Sequence, residues 1–174
     1  VAYFRNLEHM NVSGTDVGEE KRVGQLRSVD LSSNSRLRYI NVSRNNIESL
    51  ILPESGQRLE EIRCHINRIE ELNVSKYPRL KVYECWQNRL SEVDITSNLE
   101  LEELACATND LFESGLDVSH NVKLVKLWCD DDGLQQLDVS QNPLLEELYC
   151  PKNDIGSLDL SQNPKLRLLN VSET

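Results

Sequence analysis

Five cysteines and three histidines could in principle give this 174-residue chain a nucleophile, a general base, a redox centre or a set of metal ligands. Cys64 and His65 are adjacent, and a thiol beside an imidazole is the pairing that cysteine nucleophiles use. The surrounding pattern indicates a β-strand, in which successive side chains point to opposite sides. Cys64 would then face the interior and His65 the solvent, so we expect no nucleophile–base pair.

Metal binding is the other chemistry that these residue types allow. A structural zinc site uses paired ligands at short spacing, and the chain contains no Cys-x-x-Cys. Asp130, Asp131 and Asp132 form an acidic run that could ligate calcium, although no glycine-punctuated ligand loop accompanies it. We favour solvated carboxylates, with Asp132 partly replacing a structural asparagine, and we expect neither a metal nor a cofactor.

The positions of the cysteines are the strongest signal in the sequence. They occur at 64, 85, 106, 129 and 150, in the frame Leu-x-x-apolar-x-Cys-x-x-Asn-x-apolar, with Asp132 once in the Asn position. A fixed period near 20 residues indicates one structural unit stacked on itself. Val42 and Val171 fill the cysteine slot in flanking units, which favours free thiols packed as small hydrophobes over disulfides.

The repeats organise the whole chain. Six full units are recognised by their first leucine, at Leu37, Leu59, Leu80, Leu101, Leu124 and Leu145, and a partial unit follows from Leu166. We predict a single domain over 1–174, with degenerate repeats in 1–36, six full repeats in 37–165 and the partial repeat in 166–174. Within 1–36, Leu7, Met10 and Val12 fit the second half of a unit, as Val29 does.

Each unit divides into three parts. The segment that ends at the cysteine alternates as a half-buried strand does. An asparagine then turns the chain, and its amide can both donate to and accept from the neighbouring turn; these positions are Asn45, Asn67, Asn88, Asn109 and Asn153. The phrase Asp-Val-Ser-x-Asn-Pro makes the return turn, so that a unit of 21 residues has room only for short turns or 3₁₀ segments.

This pattern resembles the leucine-rich-repeat family over at least residues 37–174. The cysteine column in short repeats is similar to that of internalin-type bacterial surface proteins. The resemblance implies a β-rich α/β solenoid, a right-handed horseshoe with a parallel sheet on its concave face and short turns or 3₁₀ segments on its convex face. It also implies that other macromolecules bind at the concave face.

Strand alternation places three columns of side chains on the exposed sheet face. The first column reads Tyr39, Glu61, Val82, Glu103, Lys126, Glu147 and Leu168, and the second reads Asn41, Arg63, Glu84, Ala105, Trp128, Tyr149 and Asn170. The third column reads Ser43, His65, Trp86, Ala107, Asp130, Pro151 and Ser172, and all three are expected to face outward. Large aromatics at such positions are typical of binding hot spots; alternatively they cover neighbouring strands. We favour binding and select as candidate ligand-binding residues Tyr39, Arg63, His65, Glu84, Trp86, Lys126, Trp128, Asp130 and Tyr149.

Charge limits the class of partner. The formal net charge of −10 disfavours nucleic acid and anionic membrane surfaces, and no apolar stretch is long enough to enter and span a bilayer. Glutamate pairs at 60–61, 102–103 and 146–147 alternate with Lys81 and Lys126 in the same slots. We favour the interpretation that this spacing avoids repulsion within the sheet; the alternative is an acidic face that recruits a basic partner.

We therefore expect a non-enzymatic module that binds a protein, or alternatively a glycan, in bacterial adhesion or host interaction. The alternative function is a spacer or stalk of a larger surface protein with no ligand of its own. A secreted or cell-surface location is implied by the resemblance alone, since no signal or anchor is visible in the chain. Leu166, Leu169 and Val171 have no following repeat here, so we expect the repeat region of a longer polypeptide, as a monomer or a weak edge-to-edge dimer, and we favour the longer polypeptide over the dimer.

Overall fold

The computed structural model describes residues 4–17, 20–22 and 24–174, in which short strands alternate with turns. The described strands are β1 (His9–Asn11), β2 (Thr15–Val17), β3 (Glu20–Arg22), β4 (Ser28–Asp30), β5 (Tyr39–Asn41), β6 (Ser49–Ile51), β7 (Glu61–Arg63), β8 (Val82–Glu84), β9 (Glu103–Ala105), β10 (Lys126–Trp128), β11 (Glu147–Tyr149) and β12 (Leu168–Asn170). Eight of them form the main sheet, in the order β1-β5-β7-β8-β9-β10-β11-β12. All neighbours in the main sheet pair in parallel, and the pairing follows the sequence repeat, which is the topology of a solenoid.

The predicted fold class is confirmed as a parallel-strand solenoid. The return segments are turns and bends, and no described residue lies in an α-helix or a 3₁₀ helix. The 21-residue unit explains this, because strand and turn together leave too few residues for a helix. In the described part of the chain, no helix is long and apolar enough to cross a membrane. The division into 1–36, 37–165 and 166–174 stays a prediction.

The first strand corrects one detail of the sequence interpretation. The sequence pattern assigns Leu7, Met10 and Val12 to the second half of a unit, but β1 joins the main sheet with Met10 beside Ile40. This prediction was wrong because the antiparallel hairpin β2–β3 follows β1 and lengthens its unit, which hides the period. The assignment of Val29 to a second half is confirmed, since β4 pairs in parallel with β6 on the return side.

The core is a stack of apolar columns that run through the repeats. The first leucines of the six full units are at most 1% exposed. All five cysteines are free and buried, which confirms the predicted packing column. Burial raises the pKa values of the Cys64 and Cys106 thiols, because a thiolate would lose its hydration there. At these two positions the thiol therefore stays neutral and serves as a packing group.

Asparagine side chains tie each unit to the one before it, as predicted. Asn67 Nδ2 donates to the carbonyl oxygens of Val42 at 3.1 Å and Cys64 at 2.9 Å, and its Oδ1 accepts the N–H of Ile47 at 3.0 Å. The same pattern recurs at Asn88, Asn109 and Asn153. The preceding residue has positive φ in each unit; at Ile66, where φ is 55°, the side chain is β-branched and this conformation is strained.

Asp132 occupies the ladder position in the unit that begins at Leu124. Its side chain is 1% exposed, and its oxygens accept the Asn109 N–H at 2.7 Å and the Cys106 thiol at 3.7 Å. The carboxyl thus replaces the acceptor half of the asparagine amide, but in its ionised form it has no proton for the neighbouring carbonyls. Burial raises the pKa of Asp132 to about 7. The expectation of solvated carboxylates is therefore wrong for Asp132, because the ladder position is covered by the adjacent turns.

A second row of buried asparagines holds the return side together. Asn121 Nδ2, for example, donates to the carbonyl oxygens of Ile95 at 3.1 Å and Asn98 at 3.0 Å. Tyr77 takes this position in one unit, and its ring packs over Gly56, where an added Cβ would lie 1.9 Å from a ring carbon. The return-turn phrase is thus a structural device that links successive units.

Candidate binding face

The exposed face of the main sheet, here called the sheet face, is formed by the outer residues of each three-residue strand. In β5, β7 and β8 the middle residue is buried and the two flanking residues are partly exposed. In β10 and β11 the residue at the end of the strand is exposed. The register aligns the flanking residues into columns, so that Arg63, Glu84, Ala105, Trp128 and Tyr149 are consecutive neighbours.

The third column, which follows the strands, only partly matches the prediction. His65, Trp86 and Asp130 are partly exposed, whereas Ser43 and Ala107 are only 3% and 8% exposed. Pro151 is also buried, so the side chains at three of the seven positions are covered by neighbours, although Ala107 still lines a cavity on the sheet face. These side chains are short and lie below larger neighbours; the Ser43 hydroxyl is in addition bound to Asn41 Oδ1 at 2.7 Å.

Four of the candidate residues form one connected cluster. Glu84 contacts the guanidinium of Arg63, and its Oε2 lies 3.1 Å from His65 Nδ1. The His65 ring stacks on Trp86 with centroids 4.4 Å apart and planes 8° from parallel. Burial acts to raise the pKa of Glu84, but the His65 contact and the Arg63 charge outweigh it, so that this pKa is lowered. The predicted separation of Cys64 from His65 is also confirmed, since Cys64 is fully buried.

The remaining candidates lie on either side of this cluster. Trp128 and Tyr149 are in-register neighbours on β10 and β11 and are 45% and 37% exposed. Lys126 Nζ contacts Glu103 Oε1 at 3.0 Å on β9. Tyr39 lies apart from these, on β5, with its ring 6.1 Å from that of His9. Tyr39 and Tyr149 are five strand spacings apart, or roughly 24 Å, so only a macromolecule could contact both.

The acidic run at the end of β10 does not converge on one point. Asp131 is exposed, whereas the Asp132 side chain lies in the core. Across residues 4–17, 20–22 and 24–174, no three His, Cys, Asp or Glu side chains are placed to hold a metal ion. The calcium alternative therefore has no set of ligands in this run.

The glutamate pairs are matched with basic side chains. Lys81 Nζ lies 3.3 Å from Glu102 Oε1, and Arg167 contacts both Glu146 at 3.0 Å and Glu147 at 2.5 Å. Glu60 is paired with Arg38, Glu61 with Arg63 and Glu103 with Lys126. These contacts support the interpretation that the spacing of charges stabilises the sheet, and they leave little free charge on the glutamates.

Sequence reasoning missed a cavity between the two tryptophans. It has a volume of ≈ 410 Å³ and lies above Ala105, at the end of β9, and Ala107, two residues further along the chain. Its walls are formed by Glu84, Trp86, Gln87, Thr108, Trp128 and Asp130. The available signal was the pair of alanines, which interrupts two columns of otherwise larger residues.

Comparisons with known proteins agree with this architecture. The family model for Leucine Rich Repeat matches residues 36–63. The functional domain of InlJ from Listeria monocytogenes, which includes a cysteine ladder, is similar with a TM-score of 0.86 and 31% identity, over 98% of this chain and 36% of that one. A search of curated proteins finds no match.

Two further solved structures share the fold alone. An internalin, InlF, from Listeria monocytogenes has a TM-score of 0.80 and 19% identity, over 96% of this chain and 48% of that one. A leucine-rich-repeat protein from Leptospira interrogans has a TM-score of 0.66 and 17% identity, over 97% of this chain and 50% of that one. The chain thus spans half or less of the length of these three structures.

Proposed function

Because this chain is an internalin-like leucine-rich-repeat solenoid, we propose that it is a non-catalytic module that binds a protein ligand through the sheet face. The observation that carries the proposal is the aromatic surface at Trp128 and Tyr149, which are 45% and 37% exposed side by side. Burying such surface against a partner stabilises a complex by about 25 cal/mol per Å². Aromatic anchors of this kind dominate the energetics of many protein interfaces.

The extent of the candidate surface supports a macromolecular ligand. The nine candidate residues, Tyr39 to Tyr149, extend over strands β5 to β11, which is about 24 Å across the sheet. A protein partner can cover this span with one continuous surface. A glycan stacked on the tryptophans is the second ligand class, and the experiments below distinguish it.

The chemistry of the described residues supports a binding role over a catalytic one. Burial raises the pKa of Cys64, so a thiolate nucleophile is disfavoured at this position beside His65. His65 is stacked on Trp86 and contacts Glu84, an arrangement that holds the ring in place on the surface. We accordingly propose that the sheet face recognises its ligand without transforming it.

The proposed setting is a bacterial cell surface or a secreted protein, in adhesion or in interaction with a host. This part rests on the resemblance to internalin-type proteins. We further propose a monomer or a weak edge-to-edge dimer through β12, where Leu168 and Leu169 are 39% and 46% exposed. Light scattering over a hundredfold range of concentration tests the dimer, and a constant monomer mass would exclude it.

The binding role is tested with the double variant Trp86→Ala/Trp128→Ala. Immobilised wild-type chain is expected to capture a partner from host-cell surface extracts or neighbouring-cell extracts, identified by mass spectrometry, and the double variant is expected to lose it. Phe112→Ala is the matched control, because Phe112 is 52% exposed but lies outside the sheet face. Circular dichroism checks that all variants fold.

Two results would contradict the proposal. Undiminished capture by the double variant would show that the partner binds elsewhere on the solenoid. Failure of the wild-type chain to capture any partner would favour the spacer function instead.

A further inference from the structure

The cavity on the sheet face is lined by two carboxylates and two indole rings, which alternate around it. We define the alanine notch as the space above Ala105 and Ala107, which are each 8% exposed. Glu84 and Trp128 flank Ala105 in register, from β8 and β10. Trp86 and Asp130 flank Ala107 in the same way, because backbone hydrogen bonds continue beyond the strands from Gln87 to Ala107 and from Thr108 to Asp130.

This arrangement places a carboxylate opposite an indole in each column. Glu84 faces Trp128 across Ala105, and Trp86 faces Asp130 across Ala107. The opposing backbones are two strand spacings apart, or about 9.6 Å. Because alanine contributes only a methyl group, the space between the walls stays open. The gap is wide enough for one extended side chain in van der Waals contact with both walls.

The two indoles present suitable surfaces to this space. His65 covers one face of Trp86, so the opposite face lines the notch. Trp128, from the other side, is 45% exposed. The face of an aromatic ring carries negative electrostatic potential, and it attracts a cation within about 6 Å of the ring centre.

The notch also carries uncompensated negative charge. Asp130 takes part in no ion pair with any residue that the structure describes. Burial raises the pKa of Asp130; a backbone hydrogen bond opposes this, and the smaller effects of Asp131 and Lys152 respectively raise and lower the pKa. The glutamates of the 60–61, 102–103 and 146–147 pairs, in contrast, already have basic partners. Asp130 is therefore a half-buried carboxylate that forms no ion pair with a described residue, although the charge of Lys152 acts on it.

We propose that the alanine notch binds an arginine side chain of the partner protein, held between Trp86 and Trp128 and paired with Asp130. This inference rests on the proposed function and names the chemistry of its central contact. A guanidinium is planar, stacks on indole and can form two parallel hydrogen bonds to one carboxylate. Lysine offers only a compact charge, without the planar surface that stacks.

A neutral sugar fits the notch less well. Sugar rings also stack on aromatic faces, but a neutral ligand would bury Asp130 further without supplying the missing positive charge. An arginine satisfies both kinds of wall at once, since both the indole face and the carboxylate attract a cation. The net charge of −10 on the whole chain further favours the approach of a basic partner.

The test uses capped tripeptides on the full chain. N-acetylated, C-amidated Gly-Arg-Gly is titrated while the two indole N–H signals are followed by ¹H–¹⁵N NMR. The chain contains only two tryptophans, so Trp86→Phe and Trp128→Phe assign both signals. We expect saturable shifts of both signals with a dissociation constant in the millimolar range, which is typical of one side chain. Capped Gly-Gln-Gly and methyl N-acetylglucosaminide serve as neutral probes and should leave both signals in place.

Three variants separate the notch from general electrostatics. Asp130→Asn should weaken the affinity for the arginine peptide about fivefold, which is the effect of losing one ion pair at a half-buried site. Asp110→Asn removes the same charge at an exposed position outside the notch and should change the affinity less than twofold. Ala105→Leu fills the floor without altering any charge and should abolish both shifts, with thermal unfolding as the check on folding.

The outcomes of the peptide titrations test the arginine contact, whereas the capture experiment tests the proposed binding function. Saturable shifts from the sugar but not from the arginine peptide would overturn it in favour of a glycan. Absence of shifts with every probe, or equal weakening by Asp110→Asn and Asp130→Asn, would also overturn it. If Trp86→Ala/Trp128→Ala still loses a captured protein in those cases, the binding function stands and only the arginine contact fails.

Discussion

Replacing Asp132 by asparagine should stabilise the protein in a strongly pH-dependent way. Asp132 stands where neighbouring repeats have an asparagine that donates to two carbonyl oxygens, as Asn153 does to Cys129 and Cys150 at 2.8 and 3.0 Å. An ionised Asp132 cannot donate, and it is also cut off from water at 1% exposure. The variant Asp132→Asn restores a neutral donor of nearly the same shape.

The size of the effect follows from the pKa of this group. The Asp132 pKa is raised from 3.8 to about 7 by burial. The pKa of Asp132 is about 7 in the folded protein and 3.8 in the unfolded chain, so the folded state binds the proton more tightly. The contribution of protonated Asp132 to the free energy of unfolding is therefore fully present below pH 3.8 and is lost as the pH rises through about 7. At about 1.4 kcal/mol per pKa unit, the full loss is about 4 kcal/mol, of which about 3 kcal/mol falls between pH 5 and pH 8.

Urea unfolding of wild type and Asp132→Asn at pH 5 and pH 8 measures this loss. The stability advantage of the variant should grow by about 3 kcal/mol between the two values. The three histidines contribute to both proteins alike, so the difference between the curves removes them. Asn88→Asp is the reverse control and should introduce a dependence of the same sign in a wild-type background. An equal pH dependence of wild type and Asp132→Asn would refute the reasoning.

Three further predictions concern stability and reactivity. Gly56→Ala should destabilise the fold by about 1–3 kcal/mol in urea unfolding, because its Cβ would overlap the Tyr77 ring; an unchanged midpoint would show that the ring moves aside at little cost. Ile66→Asn should stabilise by about 1 kcal/mol, since asparagine tolerates the positive φ better than a β-branched residue, and a loss of stability would mean that the packing of Ile66 matters more. Stability should also fall as the pH drops below 3.8. Backbone and side-chain hydrogen bonds from Ser140 and Ser161 lower the pKa values of Asp138 and Asp159, and protonation of these two carboxylates removes the stability that they contribute. Unfolding that is insensitive to acid would contradict this.

The repeat frame alone was sufficient to predict the core. In the six full units, the slots of the leucines, the second apolar residues and the cysteines were correctly assigned to the interior, and Asn67 and its equivalents to the turns. This works because each slot recurs at a fixed period, so that stacking buries the same positions in every unit. The inference failed for Leu7, Met10 and Val12, where the hairpin β2–β3 interrupts the period and conceals that Met10 pairs beside Ile40.

The candidate face was predictable in position but not in detail. Alternation correctly placed Trp86 and Trp128 on the exposed side, and the role of these residues in binding stays a proposal. Alternation also placed Ser43 and Ala107 on this face, but it did not indicate that they are nearly covered there. The exposure of a side chain depends on its size relative to its neighbours on adjacent strands. Those neighbours are about 21 residues away in the sequence, so alternation within one strand does not reveal them.

The amino-acid sequence by itself determined the solenoid, the thiol column and the ladder of asparagines, since these follow from local alternation and from a period that each unit shares with its neighbours. Only the tertiary structure decided that Ala105 and Ala107 open a notch between two tryptophans, and that Asp132 is withdrawn from water. Both features arise where three successive repeats meet in register. Their chemistry depends on how much solvent the flanking units exclude, and this cannot be read from the sequence of a single repeat.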